Sequence, residues 1–475
     1  MTVQTEIVNL TTATTSLLNE VITKKSVLDE AEGKATAALN ATKESAAAAK
    51  ASEIAAKTSE NTAKTQADRA KTEADRASQI SGLSTVSDAI GLAALPLPDV
   101  WAPLSDSLRM ITGYGRDVLV GSDVVAMMVN FSRSTTATYI GKDGLLKTAA
   151  VNEPRFEKEG LLIEGQSTNV IPWSADFSKW AVGPNTVVES AMMAAPDGTP
   201  SATLLYARST GWSYVSTAVL LQPGEYTLSC FIYRQQSEFS GNALFVTGDY
   251  NFSSSVIPLD PSHPIGTWRR YSLTVNVAVA NTTIITHVAM DTTANARIGV
   301  WGYQVEALPF ASSYIPTNGA AVTRAADVAH VNLENLPIGM SLTIACENDT
   351  LSNTMAVVAS AATLGGAYWG LWRGESGGDH VFDSAFFDEI FSPENTLRDQ
   401  AVVQIGRFDA NTFDVAVAVN GRILKTAQVT KKPVVAGPHL RLGALPDGQY
   451  PLWGHIRNLR IWLRPLSDEQ LRAIA

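Results

Sequence analysis

Two periods of hydrophobic and polar residues divide this chain. From the N-terminus to about Ser81 the period is helical: Ile7, Leu10, Leu17, Val21 and Leu28 recur at spacings built from threes and fours, and Ala31, Ala35 and Ala38 continue the pattern. From Lys50 to Ala77 one seven-residue word repeats as KASEIAA, KTSENTA, KTQADRA and KTEADRA. A strict seven-residue period differs from the 3.6-residue turn, so helices carrying it supercoil left-handedly around partners. A lone helix this polar buries too little surface to persist, and the repeat therefore predicts an oligomer. Its core grades from large aliphatics to alanine, which lets helices approach closely. The column through Ala63, Ala67, Ala70, Ala74 and Ala77 also takes in Glu53 and Glu60, which leaves the innermost column open. Glu53–Lys57 and Glu60–Lys64 are i,i+4 pairs in the favourable order, each contributing about 0.2–0.5 kcal/mol. Ser81 and Gly82 mark the helix end, and such a rod spans about 120 Å at 1.5 Å per residue.

Beyond Gly82 the period falls to that of strands. Residues 83–165 read as a mixed neck: Pro96, Pro98 and Pro103 exclude a helix, SDVVAMMVNF is strand-like, and TATYIGKDGLLKTAA predicts a hairpin turning at Lys142-Asp143-Gly144. Residues 166–325 contain short strands divided by turns: SATLLYAR, GEYTLSCFIYR, NALFVTGDY, WRRYSLTVNVAV, TTIITHVAM and RIGVWGYQVEAL. Many strands without a helical pattern predict a β-sandwich or jelly roll. Residues 326–475 predict a second β-sandwich, with a hairpin at Asn420-Gly421, a closing strand HIRNLRIWLRPL, and a capping box at Ser467 opening a short helix. The expected fold is thus an N-terminal α-helical coiled coil followed by two all-β sandwich domains, in an oligomer whose number of chains the period leaves open.

Composition narrows the function. The chain has 475 residues, 17% of them charged, and a net charge of −10. Residues 31–80 hold eight Lys/Arg against seven Asp/Glu, so the acidity lies downstream of the repeat. No dense basic patch exists to neutralise phosphates, and nucleic acid is not expected as a partner. Cys230 and Cys346 alternate with Leu228 and Ile232, and with Leu342 and Ile344, and are read as buried free thiols in a protein folding in a reducing cytoplasm. No run of apolar residues is long enough to span a membrane, and the N-terminus lacks the basic and apolar regions of a secretion signal.

The order of parts resembles the tail fibre proteins of tailed bacteriophages. The heptad block is of their stalk type. The stretch FSRSTTATYIGKDGLLKTAAVNEPRFEKEGLLIEGQSTN, residues 131–169, is similar to a module recurrent in phage tail proteins. WRRYSLTV, GVWGYQVEALPFASSYIPT and AAVTRAADV resemble a carbohydrate-binding-module-like jelly roll, and VNGRILKT with WGHIRNLRIWLRPLSDEQL resembles the laminin G/concanavalin A-like lectin sandwich. The resemblance implies a parallel homotrimer, with a trimeric coiled-coil stalk and virion attachment at 1–82, a neck at 83–165, a carbohydrate-binding-module-like sandwich at 166–325 and a laminin G-like sandwich at 326–475. It implies attachment to bacterial surface polysaccharide or an outer-membrane receptor, docking to other tail proteins through the N-terminal helix, and a place in the virion tail after assembly in the host cytoplasm. The stacked repeats of β-helical depolymerases are missing, which weighs against an enzyme. A tail-associated depolymerase or esterase and a structural collar or adaptor are the alternatives.

Candidate chemistry is sparse. Gly374-Glu375-Ser376-Gly377-Gly378 matches G-x-S-x-G with His380 close by, but a nucleophile elbow needs a strand–turn–helix, and here strand patterns flank a loop on both sides. No catalytic residue is assigned. The six histidines are scattered and H-E-x-x-H and C-x-x-C are missing, so neither a metal site nor a cofactor is assigned; Asp409, Asn411 and Asp414 are available to calcium but equally ordinary turn residues. Aromatics carry the binding expectation, because sugars stack their C–H faces on flat rings while loop polar groups bind hydroxyls. Tyr368, Trp369, Trp372 and Arg373, followed by Asp379 and His380, form one such group, and Trp212 with Tyr214 form a second. Trp268, Trp301, Trp453 and Trp462 are read as core.

Overall fold

The computed structural model describes residues 2–81, 95–113, 116–120, 123–235, 241–248, 255–280, 282–291, 295–332, 341–352, 354–362, 368–374, 380–383, 389–392, 400–428 and 438–474. The chain divides into two compact units, Met1–Ile90 and Gly91–Ala475. The first is one helix, Val3–Ser81, of 79 residues. Its threonines return their hydroxyls to carbonyls one turn back, as Thr11 does to Ile7 O at 2.7 Å and Thr14 to Leu10 O at 2.6 Å. Glu53 and Lys57 close their i,i+4 pair at 2.8 Å, as do Glu20 and Lys24. Ile7, Leu10, Leu17, Val21 and Leu28 are all exposed along it, between 56% and 71%. No described helix is long and apolar enough to cross a membrane.

The second unit holds two sandwiches of antiparallel sheets. In residues 170–321 two five-stranded sheets face each other. One contains the strand Gly224–Arg234 between Trp268–Val277 and Arg297–Glu306. Leu228, Cys230 and Ile232 alternate on its inner face, as the period-two pattern requires, and meet Val215, Leu244, Val246 and Ile284 of the other sheet. The edge strand Trp268–Val277 keeps the alternation: Tyr271, Leu273, Val275 and Val277 are buried while Ser272, Thr274 and Asn276 face water. Both cysteines are free and buried.

The other sandwich is discontinuous in sequence. Its eight-stranded sheet includes Leu342–Asn348, Val402–Phe408, Asp414–Val419 and Gly454–Trp462, and its seven-stranded sheet includes Val328–Asn332, Ala356–Ala362, Tyr368–Arg373 and His439–Leu442. Strands from the segment read as a neck complete both sheets. Val100–Ala102 and Leu161–Ile163 pair with Gly454–Trp462, Arg155–Phe156 extends that sheet, and Asn130–Ser132 pairs with Val328–Asn332. Leu104, Val129, Leu161 and Ile163 accordingly share one core with Ile344, Phe408, Leu442 and Ile461. The first sandwich is therefore an insertion within the second. Its two chain crossings lie side by side, Ser167–Asn169 paired with Val322–Arg324. The chain ends in the helix Asp468–Ala473, opened by the capping box the sequence predicts: Gln470 N–H donates to Ser467 Oγ and Ser467 N–H to Gln470 Oε1.

Charge, not apolar packing, fixes the crossing point. Arg133, Arg155, Glu164, Arg324 and Asp327 are all buried there. Asp327 Oδ1 accepts from Arg133 at 3.0 Å, while Arg155 bridges Asp327 Oδ2 at 2.5 Å and Glu164 Oε2 at 2.7 Å. Glu164 also accepts from the backbone and hydroxyl of Ser313, in the returning arm of the insertion. Burial by itself would raise the Glu164 carboxyl; Arg324 and Arg155 outweigh it and hold the group at about 2.

Candidate functional site

A cavity opens where the discontinuous sandwich ends laterally. Asn130–Ser132 is the outer strand of one sheet and Arg155–Phe156 of the other, and the hairpin Ala137–Ile140 with Leu146–Ala149 connects them. The hairpin turns where Lys142-Asp143-Gly144 predicts, with Gly144 at φ 80°. Each of the three elements contributes one partly exposed aromatic ring, Phe131, Tyr139 and Phe156, to a cleft of about 800 Å³. Asp106, Asn130, Asn152 and Glu153 supply its polar lining.

Buried groups beneath hold these walls. The Arg133 guanidinium lies 5.7 Å from the centre of the Phe131 ring. Its nitrogens donate to Thr135 O, Ala150 O and Glu153 O at 2.8–2.9 Å as well as to Asp327. One side chain thus fixes an aromatic wall and the turn presenting Asn152 and Glu153. Asn152 takes a left-handed conformation, φ 62°, and its Oδ1 accepts the Arg133 backbone N–H. Asn130 Nδ2 donates to Asn332 at 3.2 Å. Asp106 is ion-paired with Lys142, whose hydrogen bond holds its carboxyl below the usual range. The lining contains neither His nor Cys. Its chemistry is that of stacking faces beside hydroxyl-binding oxygens and amides.

The residues favoured from sequence lie elsewhere. Trp372 is 6% exposed, packed with Val357 and Leu445 under the ring of Tyr450 at 6.1 Å. Arg373 is wholly buried and crosses between the sheets to donate to Asn348 Oδ1 at 3.2 Å; burial pushes its pKa down to about 10 against the pull of Asp349. Neither forms an open platform, because core covers the inner face of this strand and the 443–452 segment covers the outer one. Tyr368 and Trp369 occupy the same strand opposite Ala362 and Ala361, and His380 begins the next strand opposite Arg373. Their side chains, Asp379 and the Ser376 loop lie outside the described residues. Trp212 is 55% exposed and Tyr214 partly so, at the start of the strand Ser213–Leu221, with Ser213 between them and Val215 after them buried. Trp301, Trp453 and Trp462 are buried. Phe131, Tyr139 and Phe156 had one available signal: all lie in the single stretch 131–156 with Arg133 and Arg155, which a surface hairpin does not need.

A smaller polar centre adjoins the cleft. His455 Nδ1 lies 3.0 Å from both Asp349 oxygens and its Nε2 3.2 Å from Glu157 Oε2. Burial would lower this imidazole, and the two carboxylates outweigh it, raising its pKa to about 10.

No family model matches the sequence, and no curated protein matches it. Solved structures show distant likenesses. The CBM40 module of the Ruminococcus gnavus IT-sialidase is 17% identical, spanning 31% of this chain and 92% of that one, with a TM-score of 0.27. Domain 4 of AbnA, a GH43 extracellular arabinanase from Geobacillus stearothermophilus, is 13% identical over 35% of this chain and 82% of that one, TM-score 0.27. A heptameric SAP-like pentraxin from Limulus polyphemus is 18% identical over 28% and 69%, TM-score 0.24. Likenesses this distant assign no function to the chain.

Proposed function

We propose that this chain is a non-enzymatic bacteriophage tail fibre that binds bacterial surface glycan through its β-sandwich unit. The observation carrying the proposal is the pairing of two features. One is a 79-residue heptad-bearing helix whose large aliphatics lie exposed within the single chain. The other is a sandwich unit with an open aromatic cleft. A helix with an apolar column and no cover persists only beside copies of itself, and three parallel helices give the rod proposed here. Three weak glycan sites on one rod engage a repetitive surface together. The N-terminal residues 1–30, where the core aliphatics concentrate, attach the rod to other tail proteins.

The test is retention of the intact chain on immobilised host surface polysaccharide. Tyr139→Ala is expected to lower retention about 10-fold or more, from a stacking loss of at least ~1.4 kcal/mol, with no shortened glycan released by either form. Trp372→Phe, inside the sandwich, is expected to leave binding unchanged. Unaltered retention of the Tyr139 variant refutes the cleft, and released glycan refutes the non-enzymatic reading.

A further inference from the structure

The turn between Arg155–Phe156 and Leu161–Ile163 places Glu157 and Glu159 beside His455, which pairs with Leu162 in the neighbouring strand. One oxygen of each glutamate and a ring nitrogen of His455 lie within 4.8 Å of one another. Asp349 occupies the opposite side of the ring. It faces Nδ1 at 3.0 Å, and its Oδ1 also accepts the His455 backbone N–H at 2.7 Å. Glu157 is held from behind as well, its Oε1 accepting the Ile140 N–H at 2.6 Å, which leaves Oε2 turned to His455 Nε2. Glu159 is exposed and its carboxylate has no partner among the described residues.

We infer that Glu157, Glu159 and His455 form a site for one zinc ion, with Asp349 orienting the imidazole. A carboxylate on the far nitrogen is how metal-binding histidines are usually fixed, and zinc would replace the proton that Nε2 shares with Glu157 Oε2, releasing it on binding. Three carboxylates surround a single imidazole, so the four groups carry −3, or −2 with the ring protonated, and a divalent cation offsets that charge. The nitrogen donor selects zinc over calcium or magnesium, which take oxygen ligands. Three protein ligands leave the fourth tetrahedral position to water. Ligand atoms about 2.0–2.2 Å from zinc stand nearer one another than 4.8 Å, and the free side chain of Glu159 supplies the closing movement. The ion would tie the 157–160 turn, which follows the cleft residue Phe156, to the strand Gly454–Trp462. The inference stands on these atoms alone and does not depend on what the cleft binds.

The test uses the full chain, stripped with chelator and titrated calorimetrically with zinc alone and, in parallel, with calcium alone. Expected are one zinc per chain, no calcium heat at the same concentration, and visible absorption bands when cobalt replaces zinc. Glu159→Gln, an exposed change with no fold at stake, should weaken zinc about 10-fold or more while leaving the circular dichroism unchanged. Asp349→Asn should weaken it by a comparable factor as a positioning change. No zinc binding, equal calcium binding, or zinc binding indifferent to Glu159→Gln would each overturn the inference.

Discussion

Asp327 has both carboxylate oxygens committed to buried guanidinium groups, and its backbone carbonyl accepts from Arg441 as well. Replacing it with Asn leaves Arg133 and Arg155 buried with less compensation. The expected loss is about 3–5 kcal/mol, measured by denaturant unfolding. Two groups nearby set the acid limb. His330 is held at about 4 by burial, with the His439 and Arg441 charges adding to it, so it stays neutral in the fold where the unfolded chain would take a proton. Its contribution is complete above pH ~6.5 and is lost as the pH falls towards 4. Glu164, held at about 2, contributes fully above pH ~4.5 and loses that contribution as the pH falls towards 2. Thermal midpoints against pH should therefore decline in two stages, and Glu164→Gln should flatten only the lower one. At this scale the sequence was legible where a side chain simply alternates inward, as at Cys230 and Trp462. It was not where a polar group goes inside. Arg373 beside a glycine loop looks like a ligand-binding residue, and only the sheet opposite supplies the Asn348 that lets it be buried.

Turns and caps were readable because their chemistry is local. Asn420 and Gly421 take φ 48° and 73°, the left-handed pair that an Asn-Gly hairpin requires. Gly421 is constrained a second way, since a Cβ there would lie 2.6 Å from Arg472 O in the final helix. Gly421→Ala should cost about 1–2 kcal/mol from the left-handed conformation alone, with that contact adding to it, whereas Asn420→Gly keeps the turn but removes the 2.8 Å acceptor of the Val403 N–H and should cost about 0.5–1.5 kcal/mol; thermal unfolding measures both. In residues 95–165 the stretch SDVVAMMVNF and the hairpin at 142–144 were legible, but Val100–Ala102, Arg155–Phe156 and Leu161–Ile163 were not, because strands of two or three residues carry no period and their partners are distant. Asn130–Ser132 pairs with a strand about two hundred positions away, and no local pattern encodes that distance. For the helix, the seven-residue period predicts where disruption matters. Leu17→Glu with Val21→Glu should abolish association and lower the helical signal at 222 nm, while Lys64→Glu on the charged face should do neither.

The whole molecule differs most from its linear reading at the second sandwich. Residues 326–475 lack the strands Val100–Ala102, Asn130–Ser132, Arg155–Phe156 and Leu161–Ile163, which complete both sheets. That fragment should aggregate on expression, whereas Gly91–Ala475 should fold as a monomeric unit with a native-like melting transition. The same topology explains why the cleft was missed: the strands carrying Phe131 and Phe156 are placed by Val328–Asn332 and Gly454–Trp462, which lie beyond the insertion. The most direct test of the proposed fibre compares dissociation of the full chain and of Gly91–Ala475 from host surface polysaccharide in one experiment. Three linked sites should hold the full chain about 10²–10⁴ times more tightly than the fragment, with both weakened about 10-fold or more in Tyr139→Ala. Equal dissociation of the two forms, or no binding by either, would contradict it.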